Sequence, residues 1–440
     1  MAKKHMVTVC IVFLWAAIFG QLSSVHADEK TDQLVTAYLT NSNWVIKVFA
    51  MMELRNQKSY DIYEAALLDS IKSTNENLRI YAVASVLKLD SAGVDKIKSA
   101  QVVEALITFL DDRKQPFLSD KASEALELLT GAKKLGGKKK KWEDWFTKNK
   151  ASLPDHATVY KMVAKGQAAE DPANGGVESG GIRGGTTVAR LEKLNKNGLD
   201  LVLCVDITGS MGPCVAAVQE QVSFLVNIII SISPSSKIGF VCYNDASWVA
   251  LPFNSDLKVI QEAVNKQLGA TGGGDWEEGV DKAYETALFD PLLEWREETW
   301  KLIVIMGDAP PHTGDVDRTV KNAEDAYKGT LVPPPPPPQD RKNPKKKVAT
   351  GEKEKKPVQL KEVITSTIQT FSQNERAVVQ GVFSRIATAG GGTYVNLDDP
   401  SLVINQILQM IFGKEWESVT SEFIEVFKAN VAAADPKKKK

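Results

Sequence analysis

Val202-Leu203-Cys204-Val205-Asp206-Ile207-Thr208-Gly209-Ser210-Met211-Gly212 is the stretch on which the reading of this chain turns. A short β-branched and apolar run ends abruptly in Asp-x-Thr-Gly-Ser, and a helix-like segment begins at about Val215. A near-continuous apolar run of this kind reads as a strand buried on both faces, the habit of parallel sheets. Open α/β sheets bind their ligands at the carboxyl ends of such strands. In an extended loop the alternate residues Asp206, Thr208 and Ser210 point the same way and offer one carboxylate and two hydroxyls to a hard cation. The spacing points to a metal-dependent binding site rather than an active site.

Outward from this motif the texture alternates between strand and helix. Leu199–Val205 reads as a strand, Val215–Ile232 as a long apolar helix, Lys237–Tyr243 and Trp248–Phe253 as strands, and Leu257–Leu268 as a helix. A further helix is expected near Glu277, and Leu302–Met306 is another buried strand. Val363–Thr370 and Glu375–Ala389 resume the pattern, Gly390-Gly391-Gly392-Thr393-Tyr394-Val395 turns into a last strand, and Leu402–Phe412 is a helix. The class is α/β, a doubly wound and mostly parallel sheet with helices on both faces. It spans residues 198–415. Pro333 to Pro338 and the lysines that follow hold few large apolar side chains, so an extended, disordered surface insertion is expected at about 312–357. Residues 416–440 are expected to be a C-terminal helix and a lysine tail.

Before the sheet lie other kinds of sequence. Lys3 and Lys4, the apolar run Val7 to Phe19 and Val25-His26-Ala27 have the plan of a secretory signal peptide over residues 1–27. Its run falls short of the ~20 residues a span needs, no other stretch is read as a span, and the mature protein is expected outside the cytoplasm, secreted or periplasmic. Residues 28–150 read as an all-α module. Leu78, Ala82, Val86 and Leu89 recur about forty residues later as Leu118, Ala122, Leu126 and Leu129, each set on one helical face. That period suits a HEAT-like stack of helical pairs, with a plain helical bundle as the alternative. Lys133, Lys134 and Lys138 to Lys141 read as a solvated loop, and Trp142, Trp145 and Phe146 as the seal on the end of the stack. Residues 151–197, with Gly180-Gly181 and Gly184-Gly185, read as a glycine-rich linker.

A net charge of −1 excludes a chain that as a whole grips nucleic acid or an anionic membrane surface. Cys204, Cys214 and Cys242, the cysteines left after signal removal, are odd in number and widely spaced, which argues for packing rather than a disulfide framework.

Two further segments belong with the opening motif. Gly272-Gly273-Gly274-Asp275-Trp276-Glu277-Glu278 is a glycine turn leading into a helix, and Gly307-Asp308-Ala309-Pro310 ends the strand Leu302–Met306 much as Asp206 ends its own. These loops gather at one edge of a doubly wound sheet. Their donors are oxygens, a set suited to Mg²⁺, Ca²⁺ or Mn²⁺ rather than zinc or copper. The acids of the second loop have a blander reading, as caps of the helix that follows.

With Asp206-Ile207-Thr208-Gly209-Ser210 in place, residues 198 to about 415 resemble a von Willebrand factor type A domain with a metal-ion-dependent adhesion site (MIDAS). Thr-Gly-Ser-Met-Gly-Pro, Gly-Gly-Gly-Asp-x-x-Glu and Asp-Ala-Pro are most similar to the subgroup found beside alpha-kinases. They also resemble the I-like domain of integrin beta subunits, where an acidic residue replaces the usual threonine ligand. The stretch from Phe383 to Tyr394 resembles the family's last helix and strand. The resemblance implies Asp206, Thr208 and Ser210 as first-loop ligands, Glu278 as the second-loop ligand and Asp308 as the third. Thr208 stands where serine is usual, and Gly274 where threonine is, so Glu278, then Asp275 or Thr271, must fill that role.

Such a shell supplies at most about five ligands, which leaves a six-coordinate cation one open position. The resemblance implies that a partner protein's acidic side chain fills it, with Mg²⁺ the leading ion and Mn²⁺ or Ca²⁺ as alternatives. The expectation is a secreted adhesion-type binding protein, not an enzyme. The rival readings are a metal-independent structural scaffold and a metal-dependent hydrolase using Asp308 and His312.

Overall fold

The computed structural model of the chain describes residues 29–155, 187–272, 276–332, 360–370 and 376–434. The expected signal peptide, most of the glycine-rich linker, Asp275, the Pro333–Pro338 run and the terminal lysines lie outside the described residues.

The amino-terminal region is all helical. Helices α1 (Glu29–Thr40), α2 (Trp44–Asn56), α3 (Tyr60–Lys72), α4 (Glu76–Val86), α5 (Ser91–Ile97), α6 (Ala100–Ile107), α7 (Pro116–Thr130) and α8 (Lys139–Asn149) follow one another through short turns. Their starts are written in the sequence. Asn75, Asp90 and Ser99 accept hydrogen bonds from backbone N–H groups of the first turns of α4, α5 and α6. The repeated faces of α4 and α7 pack together, with Leu78, Ala82, Val86, Leu118, Ala122, Leu126 and Leu129 buried. Lys139 to Lys141, expected in a loop, form the first turn of α8. Trp142 is there to anchor them: its ring is buried and its Nε1 donates to the Gly136 carbonyl at 2.7 Å.

After α9 (Thr187–Asn197) comes a sheet whose strands are β1 (Leu199–Asp206), β2 (Lys237–Tyr243), β3 (Ser247–Asn254), β4 (Trp300–Gly307), β5 (Val363–Gln369) and β6 (Gly391–Asn396). Interleaved with them are α10 (Gly212–Ile232), α11 (Leu257–Gln267), α12 (Val280–Phe289), α13 (Val316–Lys328) and α14 (Arg376–Ala389), and α15 (Val403–Phe412) and α16 (Glu417–Ala434) close the chain. The strand order is β3-β2-β1-β4-β5-β6, with β3 antiparallel and every other pairing parallel. Every residue of β1, β4 and β5 is buried, which is why β1 and β4 read as largely apolar runs without alternation, while β5 buries Thr365, Ser366, Thr367 and Gln369. β3, an exposed edge, follows β2 through a tight turn, and a short hairpin can only be antiparallel. Asp200, buried inside β1, is satisfied by the Arg296 backbone N–H at 3.0 Å, the Arg296 guanidinium and the Thr299 hydroxyl at 2.8 Å.

One element corrects the sequence reading. Val316–Lys328 is helical and sits within the stretch 312–357 expected to be disordered; Ala323 and Ala326 are buried on its inner face. Small side chains there hid the apolar stripe. The long apolar helix expected after β1 is α10. It is long and apolar enough to cross a membrane by composition, yet Val218, Val222, Leu225 and Val226 are buried against the sheet, as in a core helix.

The helical region and one face of the sheet share a continuous apolar core, joined through α10, α15 and α16. Phe423 of α16 stacks on Tyr81 with centroids 4.3 Å apart and lies 5.4 Å from Phe49. Asn43 caps α2 through the Val45 N–H at 2.9 Å, and its Nδ2 donates to the Ile232 carbonyl at the end of α10 at 2.7 Å. One side chain thus terminates two helices of different regions.

Beneath these rings Arg55 of α2 meets Glu422 of α16, with Nη1 donating to Oε1 at 2.8 Å and to the Ser85 carbonyl at 3.0 Å. Both side chains are under one-tenth exposed. Removing one partner strands the other charge, so Glu422→Ala should destabilise the protein by about 3–5 kcal/mol, while the double replacement Arg55→Met with Glu422→Leu should recover most of that loss. Urea unfolding checks both, and a wild-type midpoint for Glu422→Ala would remove the pair from the account.

Candidate metal centre

Asp206 and Gly307 end neighbouring strands in flush register, since Val205 lies opposite Cys242 on one side and Met306 on the other. From β1 the chain passes to β2 on one side and later returns to β4 on the opposite side, so the β1–β4 junction is the point where winding reverses. A crevice forms there in doubly wound sheets. Backbone bonds hold its floor: the Ile207 N–H donates to the Tyr243 carbonyl at 2.9 Å, and the Tyr243 hydroxyl donates to the Met306 carbonyl at 2.9 Å. Gly307 is required by this packing. A Cβ there would lie 2.4 Å from the Tyr243 Oη and 3.2 Å from the Asp206 Oδ2.

The Asp206 carboxylate is fully buried. Its Oδ1 accepts from the Thr208 backbone N–H at 2.8 Å and the Thr208 hydroxyl at 2.7 Å, whereas Oδ2 is buried without a hydrogen-bond partner. The Thr208 hydroxyl lies 3.3 Å from the Ser210 Oγ, and the Ser210 hydroxyl donates in turn to the Asp308 carboxylate. Asp206, Thr208, Ser210 and Asp308 are therefore brought together. Glu278 reaches the same edge because its N–H donates to the Pro310 carbonyl at 3.0 Å, in a parallel bridge with Pro311. That pairing also delays the next helix, expected near Glu277, until Val280. Thr271 is exposed and is tied to the first loop by its backbone N–H, which donates to the Ile207 carbonyl at 2.7 Å.

Burial pushes the Asp206 carboxyl up to about 7, and the neighbouring Asp308 charge adds to the effect; the Thr208 N–H and hydroxyl oppose it. Burial also raises Asp308, with the Ser210 hydroxyl opposing. Two neighbouring carboxylates, the fully buried one with an unpartnered oxygen, form a donor set whose charge a cation would offset. An all-oxygen set of this kind suits a hard divalent ion. Cys214 is close, yet burial and the two aspartates push its thiol up to about 12, so it is no thiolate ligand.

A second group was not assembled by the sequence reading. Asp281, His312 and Asp315 each place a ligand atom within 4.8 Å of the others. Of the three only His312 drew notice, and the His-x-x-Asp spacing was the available signal.

The family model of the von Willebrand factor type A domain matches residues 200–333. Those residues form a type A domain. The sheet of this A domain runs on past the matched segment, through β5 and β6. Among solved structures, the chain is similar to a conserved hypothetical protein BatB from Bacteroides thetaiotaomicron, at 15% identity and a TM-score of 0.31, covering 52% of this chain and 100% of that one. It is also similar to an aerotolerance-related membrane protein from Bacteroides fragilis, at 15% identity and a TM-score of 0.31, covering 49% and 98%. Proximal thread matrix protein 1 from the mussel byssus matches at 12% identity and a TM-score of 0.34, covering 49% and 46%. No curated protein matches the chain.

The raised Asp206 pKa has a pH consequence for the A domain freed of metal. A carboxyl whose folded pKa lies above its unfolded value near 3.9 contributes its full stability below that value and loses it as pH rises toward 7. In chelator, Asp206→Asn should therefore gain stability over the wild type between about pH 4 and pH 7, by an amount on the order of a few kcal/mol. Melting temperatures across that range measure it; a difference that does not vary with pH would contradict the assignment.

Proposed function

We propose that this chain is a binding protein whose A domain docks a partner protein's carboxylate through a divalent cation. Asp206, Thr208, Ser210 and Asp308 hold the ion, with Glu278 as the second-loop ligand and Asp275 or Thr271 as lesser contributors. The observation that carries the reading is the buried Asp206 Oδ2 without a partner, beside Asp308, at the reversal point of the sheet. A cation there would satisfy that oxygen and offset the repulsion between the two aspartates. An incomplete protein shell leaves the ion a position that an incoming carboxylate fills, so binding is charge-assisted and metal-bridged.

In this reading Mg²⁺ is the resident ion, with Mn²⁺ or Ca²⁺ able to replace it. The chain acts as an adhesion-type protein outside the cytoplasm, and the helical region, taken as HEAT-like, adds surface for a protein partner. Because that region shares a core with the A domain, its surface adjoins that of the A domain.

Titration with Mg²⁺ or Mn²⁺ should raise the melting temperature of the wild type through binding to the folded state. Asp206→Ala should abolish that rise while leaving a cooperative unfolding transition. Affinity capture on the immobilised chain should retain its partner in Mg²⁺ and release it in chelator. Capture that is indifferent to chelator, or an unchanged metal response in Asp206→Ala, would sink the proposal.

A further inference from the structure

We infer that Asp281, His312 and Asp315 form a second divalent-cation site, distinct from the Asp206 site and selective for an imidazole-binding ion of the Zn²⁺ type. Their ligand atoms lie within 4.8 Å of one another. The residues are held by regular structure. Asp281 is in the first turn of α12, tethered by the Gly279 N–H to the Asn244 carbonyl at 2.9 Å. His312 and Asp315 bound the 3₁₀ turn Thr313–Asp315, closed by the Asp315 N–H donating to the His312 carbonyl at 2.7 Å. The closed turn keeps the imidazole and the carboxylate near each other, with ligand atoms within 4.8 Å. The Asp315 carbonyl in turn accepts from the Thr319 hydroxyl at 2.9 Å, fixing the turn onto α13.

Two observations point to a missing ligand. The Asp281 side chain is only 3% exposed, and its Oδ1 is buried without a hydrogen-bond partner. Its Oδ2 accepts from Arg318 at 2.7 Å. That same guanidinium also serves Asp315 at 3.1 Å and Glu285 at 3.1 Å, so three carboxylates share one cation. The local excess of negative charge matches a dication. Arg318 itself is half exposed and can swing into solvent when an ion takes its place between Asp281 and Asp315.

The chemistry separates this site from its neighbour. An imidazole with two carboxylates suits zinc and its first-row relatives, whereas the all-oxygen set at Asp206 suits magnesium. The two sites are neighbours along the chain: Asp308 and His312 follow β4, while Glu278 precedes α12 and Asp281 lies in its first turn. A zinc ion bridging α12 to the 3₁₀ turn would lock together the loops that supply Glu278 and Asp308.

The test is Zn²⁺ titration of the full metal-stripped chain in excess Mg²⁺, read by competition with a chromophoric chelator. The chain has four histidines, so background imidazole binding is low. One zinc equivalent should bind the wild type. His312→Ala, a change in a partly exposed turn, should weaken it at least tenfold while keeping the Mg²⁺-induced rise in melting temperature. Arg318→Gln should tighten zinc binding several-fold by removing the competing cation. Asp206→Asn should leave zinc binding unchanged, which separates this site from the one proposed above. No zinc uptake by the wild type, or equal uptake by wild type and His312→Ala, overturns the inference.

Discussion

The removal of the Asp206 carboxylate from water is the constraint on which this molecule's candidate chemistry depends. β1 is flanked by β2 and β4 along its whole length, and its last side chain has nowhere to go but the crevice between the loops. Thr208 satisfies one of its oxygens, and the other is buried without a hydrogen-bond partner among the described residues. Gly307 stays side-chain-free so that Tyr243 and Asp206 can approach, and the Tyr243 hydroxyl is spent on the backbone of β4 rather than on the aspartate. A buried half-satisfied carboxylate costs stability in any fold, and a cation would offset that cost.

The surrounding architecture makes this placement rigid. The helical region does not hang from the A domain; its apolar side chains run into the same core through α10, α15 and α16. Arg55–Glu422, the Tyr81–Phe423 stack and the double cap by Asn43 tie α2 and α4 to α16 and α10. The last helix belongs by sequence to the end of the chain and by packing to its beginning.

Much of the sheet was legible because its central strands β1, β2 and β4 are buried and therefore mostly apolar. β1, β2, β4 and β5 were located within a residue or two. Legibility failed where burial is made by small side chains, as in α13 with Ala323 and Ala326, and where polar character disguised a helix, as with Lys139 to Lys141. The oxygen donors at Asp206, Thr208, Ser210 and Asp308 were legible from strand-end position. The Asp281–His312–Asp315 group was not, because Asp281 lies in a helix far in sequence from the His312–Asp315 turn and the two are brought near each other beside the bridge between Glu278 and Pro311.

The sequence by itself determined the elements: hydrophobic period, capping residues and strand-end acids are local properties, readable one segment at a time. Strand order and the antiparallel edge were decided by the tertiary structure, as were the shared core and the desolvation of Asp206. Each of those depends on which distant segments exclude water from one another, and no single segment carries that information.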